Sequence, residues 1–91
     1  MVDVTDSARR ELKRILSSNV DNSYALLRLI DRGKGILGLG IDIKSPSDEV
    51  IEHEGEELLL VECGLASNLQ GVTIDIDDTA EGPQLVTYER P

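Results

Sequence analysis

The chain opens with a helical pattern. Ala8, Leu12, Ile15 and Leu16 recur at i, i+4, i+7 and i+8, which lines them along one face of a helix spanning about residues 6–17. Thr5-Asp6-Ser7 precedes that stripe and supplies a side-chain oxygen to cap its first turn. Ser17-Ser18-Asn19 and Asp21-Asn22 end the pattern as a loop. Tyr24 to Ile30 is a dense apolar run that predicts a strand buried on both faces over part of its length. Leu37, Leu39, Ile41 and Ile43 alternate with Gly38, Gly40 and Asp42, the period-two signature of a strand with one buried face.

The second half continues in short pieces. Ser45-Pro46-Ser47-Asp48 predicts a turn, Val50–His53 a strand, Glu54-Gly55 a hairpin turn and Leu58–Val61 a buried strand. Leu65–Leu69 predicts a short helix closed by Gly71. Val72–Ile76 alternates again, Gly82-Pro83 is a turn, and Gln84–Tyr88 is a last strand. The order is helix, four strands, short helix, two strands. It predicts an α+β fold with mostly antiparallel, meander-like pairing, not the βαβ alternation of a doubly wound parallel sheet. No internal repeat or linker interrupts it, so residues 1–91 read as one domain.

That order decides the one motif that spells an activity. Gly33-Lys34-Gly35-Ile36-Leu37-Gly38 is a literal G-x-G-x-x-G after a strand. The dinucleotide fingerprint needs a helix next, whose N-terminus receives the pyrophosphate. Here the following residues have strand period, and Gly38 and Gly40 would each weaken a helix by about 1 kcal/mol. The motif therefore predicts a glycine-rich loop between two strands, where glycine permits positive φ.

Composition narrows the picture further. Tyr24 and Tyr88 are the only aromatic residues, so the core is built from Leu, Ile and Val. Cys63 is the single cysteine; it excludes an internal disulfide and favours a reduced, cytoplasmic setting. No apolar run approaches the roughly 20 residues of a membrane span, and the N-terminus has no basic or apolar leader pattern.

The net charge of −9 is unevenly spread. Residues 1–44 hold eight of the nine Lys and Arg but six of the eighteen Asp and Glu, for a net +2; residues 45–91 carry −11. An acidic surface repels phosphate backbones, so nucleic acid is not an expected partner. Arg9, Arg10, Lys13 and Arg14 form a local basic cluster that reads as a solvated helix face.

Individual residues add little chemistry. Cys63 has Glu62 beside it and no neighbouring base to lower its pKa, so it reads as a small buried apolar residue. His53 lies among Glu52, Glu54, Glu56 and Glu57. Strand alternation points Glu52 and Glu54 away from it, and a solvated turn is the expectation. Asp75, Asp77 and Asp78 lack calcium-loop spacing. No catalytic, cofactor-binding or metal-ligating set emerges, and no enzyme activity is expected.

Taken together, the strings "VTDSARRELKRIL", "LLRLIDRGKG", "SPSDEVIEHEG" before "ELLLVE", "LASNLQGVTIDI" and "EGPQLVTYERP" resemble, in order and over nearly the whole chain, the HesB/IscA-like family. These are the A-type iron–sulfur cluster carriers and their relatives. The resemblance implies a compact, sandwich-like α+β domain with an N-terminal helix and a short second helix. It also implies a chemistry of three cysteines: one in the glycine-rich loop after the first strand, two in a C-x-C or C-G-C near a C-terminal tail. This sequence has Arg32-Gly33-Lys34-Gly35 in that loop, about two residues shorter than is typical, with no cysteine. It shows no C-x-C before Pro91. Cys63 matches none of the three positions. Clusters need several soft thiolates, so the expectation is a divergent member without cluster, metal or other cofactor. Such a member would be a non-catalytic binding or adaptor module, with room for a protein partner or a homodimer. The alternative is a residual metal or cluster carrier acting across a dimer.

Overall fold

The structure, a computed structural model, describes residues 2–19, 24–34 and 36–89. In chain order the elements are β1 (Asp3–Val4), α1 (Asp6–Asn19), β2 (Ala25–Asp31), β3 (Leu37–Ile43), β4 (Asp48–His53), β5 (Glu56–Glu62), α2 (Cys63–Asn68), β6 (Val72–Thr79) and β7 (Gly82–Glu89). They form a four-stranded sheet, β3-β2-β5-β4, and a three-stranded sheet, β1-β6-β7. The expected α+β class holds, and so do its two helices.

The sheets differ from a meander in one respect. Each hairpin, β2–β3, β4–β5 and β6–β7, is antiparallel, as local turns dictate. Between hairpins the pairing is parallel: β2 with β5, through Leu27↔Leu59 and Arg28↔Leu60, and β1 with β6. The first of these connections passes through β3 and β4, the second through most of the chain. Neither leaves a periodic trace in sequence.

Helix α1 starts where its cap predicts. Thr5 Oγ1 accepts the Ala8 N–H at 3.1 Å and donates to Asp75 Oδ1 at 2.7 Å, tying the helix start to β6. Ala8, Leu12 and Leu16 are buried. The helix outlasts the predicted end at residue 17, because Asn19 Nδ2 donates to the Ile15 carbonyl at 2.8 Å and satisfies an orphan acceptor of the last turn. The predicted loop at Asp21-Asn22 and the predicted Gly35 lie outside the described residues.

Strand β5 anchors the core. Leu58, Leu59, Leu60 and Val61 are all fully buried, with neighbours in the sheet on both sides. They join Val2, Val4, Ala8, Leu12, Leu27, Leu29, Ile51 and Ile74 in one cluster. The Glu54-Gly55 turn has φ of 54° and 82° at its two residues, the doubly positive geometry of a tight two-residue hairpin.

Candidate functional site

The sequence directs attention first to the loop after β2. It is a hairpin loop between antiparallel strands: Arg32 N–H donates to the Ile36 carbonyl at 2.9 Å, and Ile36 N–H to the Gly33 carbonyl at 3.0 Å. Asp31 Oδ1 accepts the Gly33 N–H at 2.8 Å and sets the turn. Gly33 has φ of 86° and Lys34 of 56°. A strand, not a helix, follows the loop, and the nucleotide reading of the glycines finds no support in this geometry.

The parallel β2–β5 pairing puts a second feature at the same end of the sheet. The pairing Leu27↔Leu59 and Arg28↔Leu60 runs both strands toward the end where β2 leads into the loop and β5 into α2, whose first residue is Cys63. Leu65 and Asn68 of α2 then line an open pocket of about 230 Å³ together with Gly33, Lys34, Thr87 and Glu89. The glycine loop and the start of α2 are neighbours although 30 residues of chain separate Gly33 from Cys63.

Cys63 itself is exposed, which corrects the expectation of a buried apolar residue. Glu62 explains both its placement and its chemistry. The Glu62 carboxylate caps α2, with Oε2 accepting from Gly64 N–H at 3.0 Å and Leu65 N–H at 3.2 Å. Those backbone donors lower the pKa of Glu62. Its Oε1 accepts from the Cys63 thiol at 3.4 Å, and that bond, with the adjacent charge, raises the pKa of Cys63. A thiol must lose its proton to bind metal, and here the nearest charged group opposes the loss.

The other candidates do not converge. His53 ends β4 and pairs in register with Glu56, while Cys63 follows the far end of β5; at about 3.3 Å per residue they stand about 20 Å apart. The His53 side chain is only 15% exposed, less solvated than the sequence suggests, and its Nε2 lies 3.7 Å from Glu54 Oε1. Glu54 turns back toward it because its φ is positive, which strand alternation could not show. Asp75 is engaged by Thr5 and by the Ile76 N–H, bonds that lower its pKa. Asp77 and Asp78 pair with Gln84 and Pro83 and alternate across β6. Among the described residues, no group of three His, Cys, Asp or Glu is placed to hold a metal ion.

The basic helix face is also different from its expectation. Arg9 donates through Nε to the Val4 carbonyl at 3.1 Å and through Nη1 to the Glu52 carbonyl. Lys13 pairs with Glu56, Arg14 with Glu11, and Arg10 approaches Ser7 Oγ at 3.4 Å. These residues tie α1 to β1 and to the β4–β5 hairpin as much as they face solvent.

Sequence reasoning passed over the strongest electrostatic feature. Arg28 sits in the apolar run of β2, level with Leu60, and reaches across β5 to Asp48. Nη1 and Nη2 bond the two Asp48 carboxylate oxygens at 2.8 and 2.7 Å, and Nε bonds Asp42 Oδ2 at 2.8 Å. The Asp48 side chain is 1% exposed and that of Arg28 19%. The guanidinium, joined by the Ser45 N–H, holds the Asp48 carboxyl down at about 2. The signal was present: an arginine inside a buried strand requires a partner.

The two sheets, with a hairpin loop beside a short capped helix, define the HesB/IscA-like fold. Solved structures of that fold are similar over almost the whole chain. A crystal structure of IscA with a [2Fe–2S] cluster gives a TM-score of 0.64 at 18% identity, covering 98% of this chain and 85% of that one. A solution structure of a protein from Aquifex aeolicus gives 0.72 at 20% identity, covering 97% and 90%. Escherichia coli SufA, involved in biosynthesis of iron–sulfur clusters, gives 0.69 at 15% identity, covering 97% and 84%. At these identities the likeness establishes the fold. No protein-family model matches the chain, and no curated protein matches its sequence. No helix among the described residues is long and apolar enough to cross a membrane.

Proposed function

We propose that the protein is a divergent relative of the A-type iron–sulfur biogenesis proteins that acts as a non-catalytic binding module in the cytoplasm, without a cluster of its own. The observation that carries this reading is the chemistry at the loop end of the sheet. The loop presents Arg32, Gly33 and Lys34, and the chain's one thiol, Cys63, is exposed with its pKa raised by Glu62. A soft-metal site needs several thiolates or imidazoles converging within about 2.3 Å of one ion. One opposed thiol per chain supplies a single weak ligand, and a dimer brings only two.

The residual-carrier alternative draws on the same neighbourhood, because Cys63 opens α2, the helix that lines a pocket with Gly33 and Lys34 of the loop. Metal content separates the two. Protein purified without oxygen is expected to hold far less than one iron or zinc per dimer. Its melting temperature is expected to be unchanged by added ferrous iron or zinc. Near-stoichiometric metal that is lost in Cys63→Ser would establish the carrier instead.

A further inference from the structure

Strand β3 is an edge strand of the larger sheet, and it lacks the devices that keep edges from pairing. The other edges have them. Strand β4 carries a register irregularity at Ile51/Glu52 and is rich in charge, β7 has Pro83, and β1 is two residues long. Strand β3 runs through seven regular pairs with β2, has one charged residue, and exposes Ile41 (52%) and Ile43 (62%).

The direction of its free backbone groups follows from the hairpin. Arg32 N–H donates to the Ile36 carbonyl, so the backbone groups of these two residues face each other across the hairpin. By alternation, Gly38, Gly40 and Asp42 turn their N–H and C=O toward β2, and Leu37, Leu39, Ile41 and Ile43 turn theirs outward. The sequence Leu37-Gly38-Leu39-Gly40-Ile41-Asp42-Ile43 is self-complementary about Gly40. Set antiparallel to itself, Leu37 meets Ile43, Leu39 meets Ile41, and Gly40 meets Gly40. The outward groups then fall into hydrogen-bonded pairs, and all four apolar side chains share one face.

We propose that β3 pairs antiparallel with β3 of a second copy across a twofold axis at Gly40, joining two four-stranded sheets into one. Two further features fit this register. The Arg32 guanidinium lies over Gly38, where a Cβ would overlap its Nε, and Asp42 of the second copy falls opposite Gly38. Among the described residues Arg32 has no carboxylate partner. Asp42 Oδ1 takes the Ile43 N–H at 2.8 Å within one chain. Pairing gives that N–H to Leu37 of the second copy and frees Oδ1 for Arg32. On the apolar face, Ile43 of the second copy comes level with Leu37 at an open groove of about 560 Å³, lined by Ile36, Leu37, Leu39, Pro83 and Leu85. Apart from Pro83 and Leu85 at the groove, the surface belongs to residues 1–44, the half whose net charge is +2, which limits like-charge repulsion at the seam.

The register makes the test specific. In a Cys63→Ser background, Gly40→Cys places two thiols opposite each other at a non-hydrogen-bonded pair, about 4.5 Å between Cα atoms and within disulfide range. Its Cβ meets only the Ile30 Cδ1 tip, at 2.7 Å, which can move. A covalent dimer is expected for Gly40→Cys in a glutathione redox buffer, and little for Gly38→Cys, whose opposite residue is Asp42. Sedimentation equilibrium is expected to show a concentration-dependent dimer, weakened at least tenfold by Ile41→Lys and by Arg32→Glu with circular dichroism unchanged. A monomer at every concentration overturns the proposal, as does equal cross-linking at both positions or at neither. An association indifferent to folded Ile41→Lys, or capture of a different protein's strand in place of self-pairing, also overturns it.

Discussion

Replacing Asp48 with asparagine is expected to lower the unfolding free energy by about 3 kcal/mol, because it leaves a mostly buried guanidinium without its bidentate partner. Asp42 still holds Arg28 through Nε, but Asp42 is exposed and cannot replace two short bonds to a buried carboxylate. The same pair sets a pH dependence. The Asp48 carboxyl is depressed from 3.8 to about 2 in the folded protein. Its stabilisation is therefore fully present above about pH 4 and is lost as pH falls through about 2. At 1.36 kcal/mol per pK unit, that is about 2 kcal/mol over the window. Urea unfolding at pH 7 and across the acid limb checks both numbers. In Asp48→Asn the acid-limb slope should flatten by that amount, whereas an unaltered slope would mean that Arg28–Asp48 does not hold in solution.

Leu59→Ala is expected to cost about 3–4 kcal/mol, within the usual range for a fully buried leucine cut to alanine. Leu59 is paired with Leu27 on one side and Ile51 on the other, so three strands meet at its side. Neighbours fixed by sheet hydrogen bonds collapse poorly into the cavity. A chain of this length has a total stability on the order of 5–14 kcal/mol. The loss is therefore expected to lower the melting temperature by about 15 °C or more. Thermal unfolding by circular dichroism measures it. A drop of only a few degrees would place Leu59 outside the core.

Local patterns carried much of this fold. The alternation of Leu37–Ile43 and Val72–Ile76, the α1 stripe and the Glu54-Gly55 turn all rest on contacts within a few residues, and these elements form, with α1 and β6 running past their expected ends. The expected buried face of β3 does not appear, since Leu37 and Leu39 are half-buried and Ile41 and Ile43 exposed, and Gly82-Pro83, expected as a turn, opens β7. The misses are non-local or short. Strand β1 has two residues, too few for a period, and exists because Asp3 and Val4 pair with Thr73 and Ile74. Helix α2 begins two residues before Leu65, because a glutamate, an uncommon cap, satisfies the N–H groups of Gly64 and Leu65. Cys63 was expected inside, and the same cap holds it at the surface. The neighbourhood of Cys63 and the glycine loop depends on the parallel β2–β5 pairing. So does the path of Arg28 over Leu60 to Asp48. In the loop itself, the sequence already showed its main chemical fact: Arg32 and Lys34 where the resemblance calls for a thiol.

That fact underlies the central claim, a cluster-carrier scaffold without a cluster site. It is tested most directly by the visible absorption spectrum after anaerobic incubation with ferrous iron, sulfide and thiol, followed by desalting. The claim predicts a colourless protein with iron and sulfide at background, in the native chain and in Cys63→Ser alike. Sulfur-to-iron charge-transfer bands that survive desalting, with stoichiometric iron and sulfide that disappear in Cys63→Ser, would contradict it.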